Sequence, residues 1–245
     1  MSIYKHILSS KKKQSKLFAI LIDPDKQNIN QLISIINKAN KAKVDLFFVG
    51  GSLLIDDKLE QCVETIKSNS KIPVLLFPGN AMQVSKKADG ILFLSLISGR
   101  NSQMLIGQQV ISAPILKQTN LEVISTGYML IDSGESTTAS YMSNTTPIPH
   151  NKHNIAAATA IAGEMLGLKI IFLDGGSGAK QAISTKMIKS VSRQINIPLI
   201  TGGGITSAEK AIENCNAGAD IIVVGNAIEN ENGLISEISK AIHKF

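Results

Sequence analysis

The chain of 245 residues contains no Trp, three Tyr and seven Phe. With so few rings there is little to stack bases on, and nucleic acid is not expected as a partner. Only two cysteines occur, Cys62 and Cys215, and they form no CxxC pair. That argues against a zinc site and for a reduced, cytoplasmic setting. No apolar run approaches the roughly 18 residues of a membrane span. The first residues, MSIYKHILSSKKKQSK, lack the apolar core of a secretory signal.

What is present is an ordinary globular composition, 44% apolar, with a formal charge of +6. A basic balance favours anionic partners, of which phosphorylated small molecules and a membrane surface fit best here. The Lys11–Lys13 run reads as a solvated face, with transient contact to a membrane surface as the functional alternative.

Eight short apolar runs recur: 17–23, 46–51, 74–79, 90–97, 121–127, 169–176, 198–204 and 220–226. Each has strand length and little polar alternation, as in a parallel sheet buried on both faces. Helical patterns separate most of them. Residues 28–42 carry Ile29, Leu32, Ile33, Ile36 and Ala39 at helical spacing, and 154–166 are Ala-rich with Asn154 as the expected cap. Thr206 and Glu209 have capping-box spacing, and Gly218 stands where that helix should stop. The pattern predicts an α/β fold, a (β/α)8 TIM barrel spanning residues 1–245 as one domain, with an open doubly wound sheet as the alternative. Two segments break the rhythm. Residues 80–89 are too short for a helix and two turns, so the helix after strand 3 is expected to be missing or reduced. Residues 133–153 are polar and aperiodic, as in a functional lid or a disordered loop.

In such barrels the chemistry lies at the C-terminal strand ends, with phosphate on the loops after strands 7 and 8. TGGGITS and VGNA occupy those places, so Gly203, Gly204, Gly225 and Asn226 are candidate phosphate ligands, and tight turns are the bland reading. Asp23 ends strand 1 in LIDPDK, and Ser52 follows strand 2 in VGGS. A carboxylate and a hydroxyl on adjacent strand ends suit Mg2+ shared with substrate phosphates. Asp174 ends strand 6 and is a candidate proton acceptor. Arg100 follows strand 4 and is a lesser candidate for gripping phosphate. The four histidines, His6, His150, His153 and His243, are expected to be solvent-exposed.

The ordered motifs DPDK, VGGS, FPGN, LISGRN, STGYMLID, YMSNTTPIP, IAAATAIAGEMLG, FLDGGSGA, TGGGI and VGNAI cover nearly the whole chain. Together they resemble the geranylgeranylglyceryl phosphate synthase family, in particular its second group, which is related to heptaprenylglyceryl phosphate synthase. The resemblance implies a prenyltransferase of lipid biosynthesis. Such an enzyme joins a polyprenyl diphosphate to the 3-hydroxyl of sn-glycerol 1-phosphate with Mg2+, on a barrel lacking the helix after strand 3. It implies Asp23 and Ser52 as metal residues. It implies Phe172, Leu173, Asp174, Gly175, Gly176, Ser177, Gly178, Gly203, Gly204, Gly225 and Asn226 as the glycerol-phosphate site. A homo-oligomer, dimer or hexamer, is implied as well. Two positions depart from the family pattern. Asp174 and Gly175 stand where Glu and another small residue are common, which puts the base role of the shorter Asp174 in question, and Ser102 replaces a usual proline after SGRN. Two other classes remain open at this point: a phosphate-binding barrel isomerase or lyase acting on a small phosphorylated metabolite, and a non-catalytic phospholigand-binding barrel.

Overall fold

The computed structural model describes residues 2–230 and 233–245. Eight strands pair in chain order into a closed, all-parallel barrel: β1 (Leu17–Ile22), β2 (Leu46–Val49), β3 (Val74–Leu76), β4 (Gly90–Leu96), β5 (Glu122–Leu130), β6 (Ile170–Asp174), β7 (Leu199–Gly202) and β8 (Ile221–Val224), with β8 returning to β1. All eight coincide with the apolar runs of the sequence. The open-sheet alternative is excluded by the β1–β8 pairing.

Strand alternation splits the core in two. Leu17, Ala19, Leu46, Phe48, Leu75, Ile170, Phe172, Ile200 and Ile221 fill the barrel. Phe18, Ile20, Phe47, Val74, Val49 and Ile171 face the surrounding helices. The same parity decides where the polar strand ends go. Asp23 continues the inward series Leu17, Ala19, Leu21, and Asp174 continues Ile170, Phe172, so both carboxylates arrive at the mouth.

The outer helices are α2 (Ile29–Ala42), α3 (Leu59–Asn69), α4 (Gln108–Leu116), α6 (His153–Met165), α7 (Thr185–Ser192), α8 (Ala208–Ala217) and α10 (Leu234–Ile242). A π-helical turn, Gln103–Gly107, leads into α4. Two short helices, α5 (Thr138–Ser143) and α9 (Ala227–Asn230), lie in loops. Residues 77–89, between β3 and β4, contain no helix, as the short connection predicted. The 133–153 segment is ordered. Thr137 and Ser140 form a capping box for α5, and Ile131 bridges to Ile148. At six residues, α5 is too short to show an apolar repeat.

Local starts differ from expectation in two places. The cap of α8 is Ser207, which accepts from Lys210 N at 3.3 Å. Its extended backbone places the helix start one residue later than Thr206 would, and leaves Glu209 in the first turn. Helix α6 begins at His153, so Asn154 is already helical and caps nothing. In α2, Ile29 is exposed, and Leu32, Ile35, Ile36 and Ala39 form the buried stripe. Gly218 ends α8 in the left-handed region, φ 112°, as expected.

A further helix, α1 (Ile3–Lys12), closes the barrel's N-terminal end by packing Ile3 and Ile7 against the interior cluster. Glu122, at the start of β5, holds the beginning of α1. Its carboxylate accepts from Ile3 N at 2.6 Å, Tyr4 N at 3.0 Å and the Ser2 hydroxyl. At the other end, Lys11 pairs with the buried Asp220 at 2.8 Å, so part of the basic run is an anchor. Removing the carboxylate leaves helix-start N–H groups without partners. Glu122→Ala is therefore expected to cost roughly 2 kcal/mol in a denaturant titration. The barrel mouth lies at the opposite end, so ligand binding there should not change.

Candidate active site

Two loops in contact account for glycines of the TGGGITS segment. Gly203 and Gly204 have φ of +86° and +68°. A Cβ on Gly203 would lie 2.9 Å from the backbone of Gly175 and Gly176, and one on Gly204 would lie 2.7 Å from Ala182 N. The β7 loop is thus pressed, backbone on backbone, against the β6 loop, and Gly175 N donates to Gly202 O at 3.0 Å. These two glycines satisfy the turn reading whatever else they do. Gly225 is different. A Cβ there would meet only ordinary contacts of 3.7 Å, to Leu21. The chain's own packing does not require a glycine at 225.

Behind these loops sits Asp174, 8% exposed. The Tyr128 hydroxyl donates to its Oδ2 at 2.5 Å, and Gly176 N donates to its Oδ1 at 2.7 Å. Burial raises its pKa above the ordinary 3.8, opposed by those two hydrogen bonds. Burial, followed by the charge and hydrogen bond of Asp174, pushes the Tyr128 hydroxyl well up, so tyrosine holds the proton. Phe172 and Leu173 are buried, at 1% and 0%, which leaves only their backbone for a ligand. Ser177 and Gly178 are exposed at the tip of the loop.

Across the mouth, Asp23 is half-buried. Its Oδ1 accepts from Asp25 N at 3.1 Å and lies 3.4 Å from the place a Gly51 Cβ would take. Burial raises its pKa, opposed by that backbone bond and by Lys26. Asp25 fastens the neighbouring loop, accepting from Ile55 N at 2.6 Å, while its Oδ1 is buried without a partner. Ser52 stands in that loop beside Gly51. Lys26 links three strand ends. Its ammonium donates to Asn226 Oδ1 at 3.0 Å and Ser177 Oγ at 3.2 Å, and lies 3.7 Å from Asp23.

A groove runs from Gly51 and Ser52 beneath α5 toward α4. Its walls are mostly apolar, from Phe77, Ala81, Ile91, Phe93, Leu96 and Met104, and Tyr128 lines it too. It holds about 840 Å³, counting its open side. Residues 77–84 form one wall where a helix would otherwise stand. Rings stack behind that wall, Phe77 on Phe172 at 5.2 Å and edge-on to Tyr128 at 5.6 Å.

The structure thus brings together Asp23, Ser52, Asp174 and the glycine loops. It does not bring Arg100 to them. The guanidinium turns onto its own loop, donating to the Gly99 and Ile97 carbonyls, beside a separate polar cleft with Asn144–Thr146. His150 and His153 are half-buried rather than exposed, against Ala182 O and the Ser184 hydroxyl. Tyr128 and Lys26 were given no role from sequence, although both lie in motifs already singled out, STGYMLID and DPDK. Among the described residues no group of three or more His, Cys, Asp or Glu side chains gathers to hold a metal, and no helix is long and apolar enough to cross a membrane.

Comparison with known proteins agrees with this geometry. Over residues 9–244 the chain matches the model of the PcrB family. It is 56% identical to geranylgeranylglyceryl phosphate synthase of Chitinophaga pinensis, covering 98% of this chain and 96% of that one. It is 39% identical to the synthase of Pyrococcus furiosus, over 96% and 93% of the two chains. Among solved structures, the (S)-3-O-geranylgeranylglyceryl phosphate synthase of Thermoplasma acidophilum, in complex with its substrate sn-glycerol-1-phosphate, superposes with a TM-score of 0.94 at 28% identity over the full length of both chains. A tryptophan synthase α subunit from Legionella pneumophila shares only the barrel, with a TM-score of 0.61 at 15% identity. Full-length matches at this level establish that the chain belongs to the PcrB family, alongside the geranylgeranylglyceryl phosphate synthases.

Proposed function

We propose that the chain is a prenyltransferase that joins a polyprenyl diphosphate, geranylgeranyl diphosphate by analogy with its relatives, to the 3-hydroxyl of sn-glycerol 1-phosphate. The observation that carries this reading is the meeting of the apolar groove with the polar mouth at Ser52 and Tyr128. One substrate must be a long hydrocarbon with an anionic head, and the other a small phosphate with a free hydroxyl. An isomerase or lyase acting on a small phosphorylated metabolite has no use for such a groove.

In the proposed reaction the glycerol C3 oxygen bonds to the allylic carbon, the bond from that carbon to the diphosphate oxygen breaks, and diphosphate leaves. The hydroxyl proton passes to Asp174 through the Tyr128 hydroxyl, which already donates to it at 2.5 Å. This arrangement offsets the methylene that Asp174 lacks relative to Glu. The backbone N–H groups of the β6, β7 and β8 loops, with Asn226, hold the phosphate and aim the hydroxyl at the groove, an orientation effect. The prenyl tail lies against Phe77 and the wall of residues 77–84.

The residues at the mouth fit a hard divalent cation. Asp23 is a half-buried carboxylate whose contact to Lys26 is long, Ser52 follows Gly51 in the loop beside it, and Asp25 carries a buried oxygen without a partner. Bound there by Asp23 and Ser52, Mg2+ would neutralise charge developing on the leaving diphosphate. Self-association belongs to the same proposal, supported by the exposed side chains Ile106, Val110, Ile111 and Ile115 along α4 and the turn before it.

The deciding experiment is mass spectrometry of products from purified protein, geranylgeranyl diphosphate and sn-glycerol 1-phosphate, with magnesium or with chelator. A magnesium-dependent ether phosphate is expected. No product from diphosphates of any chain length would overturn the proposal. Asp23→Asn should lower kcat at least roughly a hundredfold while the melting temperature holds; an unaffected variant would remove Asp23 from the metal site.

Asp174 must be ionised to accept the proton, and its pKa is raised, so activity should fall on acidification at a pH above the ordinary 3.8. The Tyr128 hydrogen bond lowers that pKa. Tyr128→Phe should therefore move the acid limb to higher pH and reduce kcat at neutral pH roughly tenfold. A limb that stays in place would exclude Asp174 as the titrating group. Light scattering after size exclusion should show an assembly larger than the 26.2 kDa chain. Ile111→Asp should then dissociate it, and a monomeric parent would contradict the assembly.

A further inference from the structure

We infer that Lys26 is the cation that recognises the phosphate of the glycerol substrate, closing a seat otherwise built from neutral groups. The inference rests on the function proposed above and adds to it a residue that sets affinity for one substrate and not the other.

The geometry is specific. The Lys26 ammonium sits between the loops after β1, β6 and β8, donating to Ser177 Oγ at 3.2 Å and Asn226 Oδ1 at 3.0 Å. The Asn226 side-chain amide donates to the same Ser177 oxygen at 2.9 Å. Both partners of the lysine are neutral oxygens. Among the described residues its carboxylate neighbour, Asp23, is 3.7 Å away, beyond a good hydrogen bond. The positive charge is therefore held in place without being consumed by a close ion pair. Hydrogen bonds between a charged donor and an ionised acceptor are shorter and roughly twice as strong as those between neutral groups. A phosphate oxygen would displace the serine and amide oxygens from the ammonium. It would also gain the Ser177 hydroxyl and the Asn226 amide as donors. The lysine side chain is 40% exposed, so the exchange does not require it to move through packed protein.

The alternative anion is the diphosphate, and the placement argues against it. The apolar groove ends on Gly51 and Ser52, and neither Lys26, Ser177 nor Asn226 lines it. A diphosphate on a prenyl chain lying in that groove arrives on the Ser52 side of Asp23. The two hydrogen-bond partners of Lys26 lie on the other side, with Gly225. Asp23 thus divides two anion positions, and Lys26 belongs to the one built from the β6 and β8 loops.

The test is calorimetric titration of sn-glycerol 1-phosphate, without diphosphate, into the wild-type protein, Lys26→Met and Lys26→Arg, combined with KM values for both substrates. Lys26→Met should weaken glycerol-phosphate binding roughly tenfold or more, and Lys26→Arg should restore it to within about threefold. The KM for the prenyl diphosphate should stay within about twofold in all three. Unchanged glycerol-phosphate binding in Lys26→Met would overturn the inference. So would a selective rise in the diphosphate KM, which would assign Lys26 to the other substrate. Equal loss in Met and Arg variants with a lowered melting temperature would make Lys26 a structural tie and would overturn it too. A folded wild-type protein that does not bind sn-glycerol 1-phosphate would instead refute the proposed function, and this inference with it.

Discussion

A carboxylate taken out of water costs several kcal/mol unless its oxygens are bonded. At Asp174 that requirement organises the mouth of the barrel. One oxygen is held by the Tyr128 hydroxyl from β5, and the other by Gly176 N from the loop that Asp174 itself begins. The second bond turns the β6 loop back on the strand end. The turned loop then presents its backbone to Gly203 at a distance where a side chain could not stand. The β7 loop is fixed in turn, and β8 delivers Gly225 and Asn226 beside it. The β6 and β7 loops are thus locked together by contacts that start at a single buried acid, and Asn226 ties the β8 loop to Ser177.

The other half of the site depends on what is left out. Without a helix after β3, the wall of residues 77–84 can approach the barrel rim. Gln83 ties it down by donating to Gly51 O and accepting from Gly79 N. Gly79 makes that approach close: a Cβ there would lie 2.4 Å from Gly51 O. The same carbonyl-rich corner carries Ser52. The apolar groove and the polar mouth therefore meet at a joint of fixed geometry, which is what a reaction between a lipid and a small phosphate needs. The aromatic stack of Phe48, Phe77, Tyr128 and Phe172 backs this joint and keeps the Tyr128 hydroxyl aimed at Asp174.

Much of this was legible in the sequence because it follows from period and punctuation. Eight doubly buried strands read as apolar runs, and the missing helix read as a connection too short to hold one. The placement of Asp23, Ser52, Asp174 and the glycines at one end of the barrel was legible because strand ends in a barrel point to one place. What escaped was whatever depends on a partner distant in sequence. Tyr128 looks like any strand aromatic until Asp174 is seen 46 positions away. Lys26 looks like a surface lysine until the loops after β6 and β8 fold over it. The α5 helix is too short to carry a period, and Arg100 has the right chemistry on a loop that turns it inward onto its own carbonyls. The caps of α6 and α8 were misplaced by a residue or two, because several side chains there offer similar caps and packing chooses among them.

In the proposed site the glycine loops hold glycerol phosphate with its 3-hydroxyl directed at the Tyr128–Asp174 pair. A crystal structure of this protein with sn-glycerol 1-phosphate tests it most directly. The phosphate is expected against Gly203, Gly204, Gly225 and Asn226, and the C3 hydroxyl within hydrogen-bond reach of the Tyr128 hydroxyl. A phosphate bound instead in the polar cleft beside Arg100, or a C3 hydroxyl turned away from Tyr128 toward solvent, would contradict it.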